Sequence, residues 1–244
     1  DIHEKIRASM KITGDLERLV ARICCKRANG RDVAALATSL EILPEYNENL
    51  SDLKSDLLVS IHKNGLPDVS PLVSKIRSSI IDDPPTSIND GGIIRDGFDS
   101  QIDEWRAVSS GGKEFIAKIQ AREREETGIA SLKIGFNQVF GYYIEVSKAN
   151  MGRVPENYIR KQTLTNSERY ITPELKEYED TVLQAEEKLK DREFALFIDI
   201  RNEISEWIIH IQQTARSIAC VDVLSSFSEL AVLQDYVRPK VDDS

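Results

Sequence analysis

The sequence contains little of what builds disulfide frameworks or membrane spans. Only three of its 244 residues are cysteine, and two of them, Cys24 and Cys25, are adjacent in a helical pattern. An odd number of cysteines at this spacing argues against a disulfide framework and favours a reducing compartment. No apolar run approaches the roughly 18 residues of a membrane span, and the first residues do not read as a signal peptide. We therefore expect a cytoplasmic protein without a membrane partner.

Residues for metal or acid–base chemistry are equally scarce. No cysteine and histidine stand at the spacing of metal ligands, and each histidine falls in a different predicted helix: His3, His62 and His210. The many glutamates are expected on solvated helix faces, and the charged run from Arg122 to Glu126 is expected to pair within its own helix. We predict neither a metal site nor an enzymatic activity.

A phosphate-binding loop is suggested at Ser109–Lys113 but is rejected by its neighbours. The Walker pattern requires a glycine five residues before Gly112, where Ala107 stands, and a serine or threonine after the lysine, where Glu114 stands. We therefore predict no nucleotide cofactor in this chain.

Charged residues make up 30% of the chain and aromatic residues 7%, which is typical of a helix-rich protein. Apolar spacings of three and four predict short packed helices over the first 81 residues. One of them should stop at Asn29-Gly30, a left-handed C-terminal signal. The next should begin at Asp32 and be ended by Pro44, and Ser70 is the expected N-cap of another, with a proline directly after it.

Two longer helices are predicted farther along the chain. Between residues 82 and 97, the Asp, Pro, Asn and Gly content predicts a loop with a brief extended piece at Ile93–Ile94. One long helix should then run from Phe98 to Thr127, about 45 Å at 1.5 Å per residue. The Thr172-Pro173 pair is a helix start, and the helix that follows should exceed about 50 Å. Together they predict an antiparallel pair of arms.

Residues 131–172, the β module, interrupt the helical pattern. Apolar and polar positions alternate there with a period near two, among aromatic and β-branched residues, as half-buried antiparallel strands require. Because a module this small needs its aromatic residues inside, we expect them to form a small core rather than to stack on bases. They are Phe136, Phe140, Tyr142, Tyr143, Tyr158 and Tyr170.

The β module also differs from the rest of the chain in charge. It holds six cations and three carboxylates, a net charge of +3, whereas the whole chain carries −9. Positive charge concentrated on one part of an acidic protein favours an anionic partner. Lys148 and Asn150 fall on a predicted turn after a strand, and residues 160–166 mix cations with hydroxyl and amide donors that suit phosphate oxygens. A solvated loop surface is the alternative.

The sequence closely resembles the MutS family of DNA mismatch-repair proteins. Five motifs carry the resemblance, and they extend over a large part of the second half of the chain: Ala121–Ile129, Leu132–Gly135, Phe140–Val146, Arg160–Leu164 and Asn166–Lys176. Asp15–Leu19 and Tyr236–Pro239 are similar to the family's core helices and to the approach to its ATPase, so the resemblance spans essentially the whole chain.

The resemblance implies a mainly α fold with a small antiparallel β clamp inserted between two long antiparallel lever helices. The helical core domain would be discontinuous, comprising residues 1–97 and 209–244. Residues 98–130 and 173–208 would be the levers, and residues 131–172 the clamp. In the family, each clamp touches the DNA backbone and two subunits close a ring around the duplex.

Carried over by position, the clamp's backbone-contacting loops fall on Ser147–Asn150 and Arg160–Asn166. Thr165 departs from the lysine common there in relatives, which weakens the charge at that position. Arg153 and Arg169 have an alternative role, since either could instead pair with a neighbouring glutamate, Glu156 or Glu168. The complete set of predicted DNA-binding residues is Lys148, Asn150, Arg153, Arg160, Lys161, Thr163, Thr165, Asn166 and Arg169.

The implied partners are the double-stranded DNA backbone, a second MutS subunit and a MutL-type protein of the same pathway. ATP and Mg would bind in the family's ATPase domain, and neither that domain nor the mismatch-reading domain is recognisable here. We therefore expect a middle segment that neither hydrolyses ATP nor selects a mismatch. The alternative is a helical coiled-coil structural or dimerisation module without DNA binding of its own, associating through the apolar seam from Leu196 to Ile218.

Overall fold

The computed structural model describes residues 2–137, 139 and 141–239, with the backbone alone for Lys113. Two predictions fall outside the described residues. They are the small-core position of Phe140 and the place of residues 240–244 in the core domain. The helices are α1 (Ile2–Ile12), α2 (Leu16–Cys24), α3 (Gly30–Glu41), α4 (Leu43–Leu50), α5 (Asp56–Ser60), α6 (Ser70–Ser79), α7 (Ser100–Ser110), α8 (Gly112–Thr127), α9 (Pro173–Glu206) and α10 (Ile208–Leu233).

A four-stranded antiparallel sheet is inserted between α8 and α9. Its strands are β1 (Lys133–Asn137), β2 (Gly141–Ser147), β3 (Ile159–Thr163) and β4 (Ser167–Ile171), in the spatial order β1-β2-β4-β3. Shorter helical turns lie at Ile61–Gly65, Ile88–Asp90 and Lys148–Arg153. The predicted fold class, mainly α with an inserted antiparallel sheet, is confirmed. Among the described residues, no helix is long and apolar enough to cross a membrane.

The chain forms two compact units. The helical unit comprises Asp1–Phe98 and Glu193–Ser244, and the sheet unit comprises Asp99–Arg192. The finer division into core, levers and clamp, with its boundaries near residues 97, 130, 172 and 208, stays a prediction.

The N-terminus of α3 corrects one sequence-based prediction. Asn29 and Gly30 do not end a helix: Asn29 caps α3, accepting a hydrogen bond from the Asp32 amide while the Asp32 side chain accepts from the Asn29 amide. This reciprocal capping box satisfies two amides that the helix leaves unpaired. Gly30 is required for packing, since a Cβ there would lie 2.7 Å from the Cβ of Pro84.

Two prolines begin helices slightly differently from the prediction. Pro44 was expected to end α3, but that helix already ends at Glu41 and Pro44 lies in the first turn of α4. Ser70 is the first residue of α6 rather than its cap, and its amide donates to the Asp68 carboxylate at 2.9 Å. In both places the proline lies in the first turn of a helix. A backbone N–H there has no partner within the helix, so the missing N–H of proline costs no hydrogen bond.

The predicted loop at 82–97 is confirmed, and its extended piece is part of the core of the helical unit. Ile80 and Ile94 form an isolated antiparallel bridge, and Ile93 and Ile94 are fully buried. The buried Glu193 carboxylate accepts a hydrogen bond from the Ile93 amide at 3.2 Å. The apolar seam of α9 and α10 is buried in this unit through Ile200, Ile204, Ile211, Ala215 and Ile218.

In the sheet unit, α7 and α8 run antiparallel to α9. Ser109 donates to Glu186 at 3.1 Å, and the rings of Phe115 and Tyr178 stack at 3.9 Å. Residue numbers therefore rise along one arm as they fall along the other, as predicted. The start of α9 is also confirmed, because the Thr172 hydroxyl accepts from the Leu175 amide at 3.2 Å.

The first arm is not the single helix predicted from Phe98 to Thr127. It begins at Ser100 and is interrupted at Gly111, after which α8 begins at Gly112. Successive serines and glycines are poor helix formers, which weakens the helix at this point. A Cβ on Gly112 would also lie only 3.0 Å from the Tyr178 hydroxyl. The second arm, α9, is continuous over 34 residues, about 51 Å.

The inner face of the sheet packs on α8 and α9 as one apolar cluster. Tyr158 and Tyr170 are buried in it with ring centroids 5.9 Å apart, and Tyr142 packs against it. The predicted small core is therefore confirmed for these three. Phe136 differs, since it is 58% exposed and only touches the edge of the Tyr142 ring. The buried aliphatic members are Ile119, Ile129, Leu132, Ile144, Val146 and Leu175.

Gly141, the first residue of β2, lies directly against the Glu179 carboxylate of α9. Its φ of +74° lies in the left-handed region, and a Cβ would overlap the Glu179 carboxylate. That carboxylate cannot move freely, because it accepts the Tyr142 amide at 2.8 Å and pairs with Lys176 at 2.7 Å. The backbone conformation and the space for Glu179 therefore both require glycine here.

We expect Gly141→Ala to destabilise the sheet unit more than Gly128→Ala. Gly128 has a similar φ of +67° but open space around its Cβ position, so its substitution should cost only backbone strain of about 1–2 kcal/mol. Gly141→Ala should add about 1–3 kcal/mol for the displaced bond between Glu179 and the Tyr142 amide. Urea unfolding measures the two costs, and equal losses would contradict the role given to Glu179.

Asp99→Asn should reduce the acid sensitivity of the sheet unit. Hydrogen bonds from Arg192, the shorter at 2.7 Å, hold the pKa of Asp99 below its ordinary value. A lowered folded pKa stabilises the fold above the unfolded value of about 3.9, and this stabilisation is lost as pH falls through the lower folded value. Asparagine still caps α7, so the loss at pH 7 should be about 1 kcal/mol or less.

Urea unfolding at pH 7, 4 and 3 checks this prediction. The difference between wild type and Asp99→Asn should shrink as the pH falls below about 4. The control is Asp191→Asn, at an exposed carboxylate without an ion pair among the described residues. A difference that stays constant with pH would show that Asp99 does not contribute through its charge.

Candidate nucleic-acid interface

The two predicted contact loops meet at one end of the sheet. Ser147 pairs with Ser167 in the last step of the β2–β4 ladder, and the Lys148 amide then donates to the Asn166 carbonyl at 3.1 Å. The Leu164 amide donates to the Ser167 carbonyl at 2.9 Å and closes the turn between β3 and β4. Residues that are distant in sequence are therefore neighbours.

Arg160 and Lys161 lie on β3, an edge strand of the sheet. Arg160 pairs with Tyr170 and Gln162 with Arg169, so Lys161 is the extra residue of a β-bulge. A bulge bends the strand and redirects its side chains, and here three consecutive residues from Ile159 are exposed. Cations on an edge strand also prevent unwanted strand pairing, so charge alone does not decide their role.

Two predicted cations have no partner within the described part of the chain. The ammonium groups of Lys148 and Lys161 are exposed and make no ion pair with any described residue. The Thr165 and Asn166 side chains are also exposed, at the β3–β4 turn. These four side chains keep their full capacity to bind an external anion.

Three other predicted residues use side-chain groups to hold the module together. The Asn150 amide donates to Ser131 at 3.1 Å and to Ser147 at 3.0 Å, which fixes the turn after β2. Arg153 donates to the Gly128 carbonyl at 3.2 Å, and the Thr163 hydroxyl donates to a glutamate of β4 at 3.5 Å. A structural role is therefore visible for each of them.

Arg169 lies on the outer face of the sheet, and its ion pair differs from the one that the sequence suggested. Its partner is Glu145 at 3.1 Å, not Glu156 or Glu168. It also donates to Gln162 at 3.0 Å, and its guanidinium lies 4.1 Å from the ring centroid of Tyr143. Tyr143, expected in the small core, instead supports this cation from the face opposite the core.

Arg160 is mostly exposed but lies near a buried carboxylate. Its guanidinium is 3.6 Å from Glu168, whose residue is only 3% exposed. The same carboxylate accepts the Tyr170 hydroxyl at 2.6 Å. Burial, followed by this hydrogen bond, raises the pKa of Tyr170 to about 12, so the phenol stays protonated and remains a donor.

Buried glutamates are the residues that the sequence did not reveal. Glutamates were expected on solvated surfaces, but Glu123 and Glu179 are each 7% exposed. Glu123 accepts the buried Tyr158 hydroxyl at 2.6 Å, which joins α8 to the segment before β3. Arg122, expected to pair within its helix, also reaches Glu174 of α9 at 3.0 Å. No local pattern indicates these pairs, because their members become neighbours only through the fold.

The family model for MutS family domain IV matches residues 97–188. Curated relatives align with almost all of the chain. This chain is 47% identical over 240 residues to the DNA mismatch repair protein MutS of Halothermothrix orenii. The aligned residues cover 98% of this chain and 27% of the relative. The corresponding protein of Acetivibrio thermocellus is 45% identical over 242 residues, 99% of this chain and 28% of the relative. The chain belongs to the MutS family.

Domain IV of MutS corresponds closely to the sheet unit. The matched residues 97–188 include α7, α8, the sheet and the first half of α9. The chain spans about a quarter of the length of its MutS relatives, including that of Caldanaerobacter subterraneus at 48% identity over 230 residues and 26% of its length. The resemblance seen in the five motifs is therefore confirmed at the level of the family.

Tyr158→Phe should destabilise the sheet unit by about 1–3 kcal/mol, because the buried Glu123 carboxylate then loses a donor. Burial, followed by the hydrogen bond to Glu123, raises the pKa of Tyr158, so this phenol donates throughout the usual pH range. The matched control is Tyr143→Phe, whose hydroxyl makes no hydrogen bond among the described residues. That change should stay within about 0.5 kcal/mol. Urea unfolding compares them, and equal effects would count against a structural role for the Tyr158 hydroxyl.

Proposed function

We propose that the sheet unit is the clamp of a DNA mismatch repair protein and contacts the phosphate backbone of duplex DNA without reading its sequence. The observation that carries the proposal is the placement of exposed cations, which form no ion pair with any described residue, on this MutS domain. Lys148 and Lys161 belong to a β module of charge +3 in a chain of charge −9. Phosphate contacts position a protein on DNA but carry no base information, so mismatched and matched duplexes should bind alike.

The strength of such a contact follows from the number of phosphates neutralised. Lys148, Arg160 and Lys161 are the principal candidates, with Thr165 and Asn166 adding neutral hydrogen bonds. Three phosphates predict a slope of log affinity against log salt near about −2.7. The affinity should lie at the weak end of the non-specific range, about 10⁻⁴ to 10⁻⁶ M. Asn150, Thr163, Arg153 and Arg169 are assigned secondary parts, because each already has a partner inside the sheet unit.

The arms are proposed to act as levers between the clamp and an ATPase domain of the full-length protein. The support is mechanical: α9 is unbroken over 34 residues, and hydrogen bonds accepted by Glu123 and Glu179 join both arms to the β module. A stiff arm can move a distant tip as one body. The interruption at Gly111 leaves α9 as the stiffer of the two arms.

The partners proposed for the full-length protein are a second MutS subunit and a MutL-type protein. ATP and Mg are proposed to bind outside these 244 residues, since no Walker sequence is present in them. The chain itself is proposed not to be an enzyme, and an ATP turnover assay tests that statement directly.

A structural or dimerisation module remains the second candidate function. The seam proposed for association, Leu196–Ile218, is largely buried inside the helical unit. The observation that favours this candidate is instead the end of α10, where large apolar side chains are exposed: Val223, Phe227, Leu230, Val232 and Leu233. Concentration-dependent sedimentation without salt-sensitive DNA binding would support this candidate over the clamp.

Lys148→Ala/Lys161→Ala should weaken DNA binding and make the salt slope shallower by about 1.8, because two phosphate contacts are lost. Fluorescence anisotropy of a labelled homoduplex and a matching mismatched duplex, at two salt concentrations, measures both quantities. The matched control is Lys188→Ala/Lys190→Ala, which removes two exposed cations from α9 of the sheet unit. An unchanged affinity in the first variant, or equal losses in both, would overturn the assignment of the contact.

A further inference from the structure

We propose that Glu168 is a built-in competitor for Arg160: its buried carboxylate binds the arginine when DNA is absent and gives it up to a phosphate when DNA binds. This inference rests on the proposed function and concerns the regulation of the same contact. This competition would make the affinity of the clamp for DNA weaker than the cations by themselves would give.

Glu168 is placed by the sheet rather than by Arg160. It lies on β4 opposite Val146 and faces the apolar cluster, with 3% of its surface exposed. Its closest bond is from the Tyr170 hydroxyl at 2.6 Å, and Thr163 adds a longer one at 3.5 Å. Both donors are neutral, so they leave the negative charge of the carboxylate uncompensated.

Arg160 is the only cation paired with this charge among the described residues. Its guanidinium is 3.6 Å from the Glu168 oxygen, beyond ideal hydrogen-bond length, and its side chain is 64% exposed. The pair is therefore loose on the arginine side and fixed on the glutamate side. A guanidinium has five N–H donors, so an exposed one can turn to a phosphate without unfolding the strand.

The contrast with Arg169 indicates which arginine can exchange partners. Arg169 has two polar partners and an aromatic ring beneath it, and its side chain is only 20% exposed. Arg160 has one distant partner and lies on an edge strand next to the bulged Lys161. Exchange to an external anion therefore breaks fewer contacts for Arg160 than for Arg169.

A consequence is that Arg160→Ala by itself is an ambiguous test of DNA contact. It removes a phosphate ligand, but it also leaves a buried carboxylate without its cation, which destabilises the fold. Glu168→Gln resolves the ambiguity, because an amide oxygen still accepts the Tyr170 hydroxyl while the competing charge is gone.

The test is a double-mutant cycle on the whole chain with a labelled duplex as the probe. Glu168→Gln should bind the duplex about two- to fivefold more tightly than wild type, the range set by the modest strength of exposed ion pairs. Its salt slope should stay close to that of wild type, because Arg160 neutralises one phosphate in both complexes and only the cost of leaving Glu168 differs. In an Arg160→Ala background, Glu168→Gln should gain no more than the net-charge effect of removing one carboxylate.

Glu145→Gln is the matched control. It also removes one carboxylate from the same module, but the carboxylate it removes pairs with Arg169 and not with Arg160. Any gain it gives acts through net charge or through the released Arg169, and either effect should persist in the Arg160→Ala background. Equal or weaker binding by Glu168→Gln, or a gain that is just as large in the Arg160→Ala background, would overturn the competition.

Two further measurements separate this inference from the proposed function. Urea unfolding should show that Arg160→Ala is less destabilising in the Glu168→Gln background, which establishes the pair without DNA. In the unmodified chain, arginine-selective NMR should show the Arg160 side-chain signal shifting on addition of duplex while that of Arg169 stays. No salt-sensitive binding by wild type would reject the proposed function and the competition together, and binding without a shift at Arg160 would reject the competition alone.

Discussion

Hydrogen bonding to buried glutamates holds the β module to its arms. A single sheet with one apolar face must bury that face against another layer, and here its inner face packs on α8 and α9. Glu123 reaches from α8 to Tyr158, and Glu179 reaches from α9 to the Tyr142 amide. Each bond stabilises a charge that would be costly to bury alone, and each fixes the position of the sheet on a helix.

The same constraint explains how the module presents cations to solvent. With most of its apolar side chains and the Glu168 carboxylate turned inward, the sheet leaves Lys148 and Lys161 exposed, one after the end of β2 and the other on the edge strand β3. Arg169, by contrast, is held between Glu145 and Tyr143. The residues suited to phosphate contact therefore divide into a few that are available and several that hold the module together.

Periodicity and turn chemistry predicted most of the fold from the sequence. The Thr172 start of α9, the loop before α7 and the period-two alternation over the β module were readable because each is a local pattern. Asn29-Gly30 and the Gly111 break were read wrongly for a related reason. The same residue types end one helix and begin another, and the choice depends on packing partners such as Pro84 and Tyr178 that lie far away in sequence.

By itself, the sequence determined the fold class, the position of the β module and its positive charge, because these follow from residue types and their spacing along the chain. The family was recognisable for the same reason, since its motifs are local. Only the tertiary structure decided which side chains are available. Whether a glutamate is solvated or buried, and whether an arginine is free or paired, depends on residues brought together by strand register and helix packing. Glu168 and Arg160 lie on different strands, and only the β3–β4 pairing and the bulge between them make them neighbours.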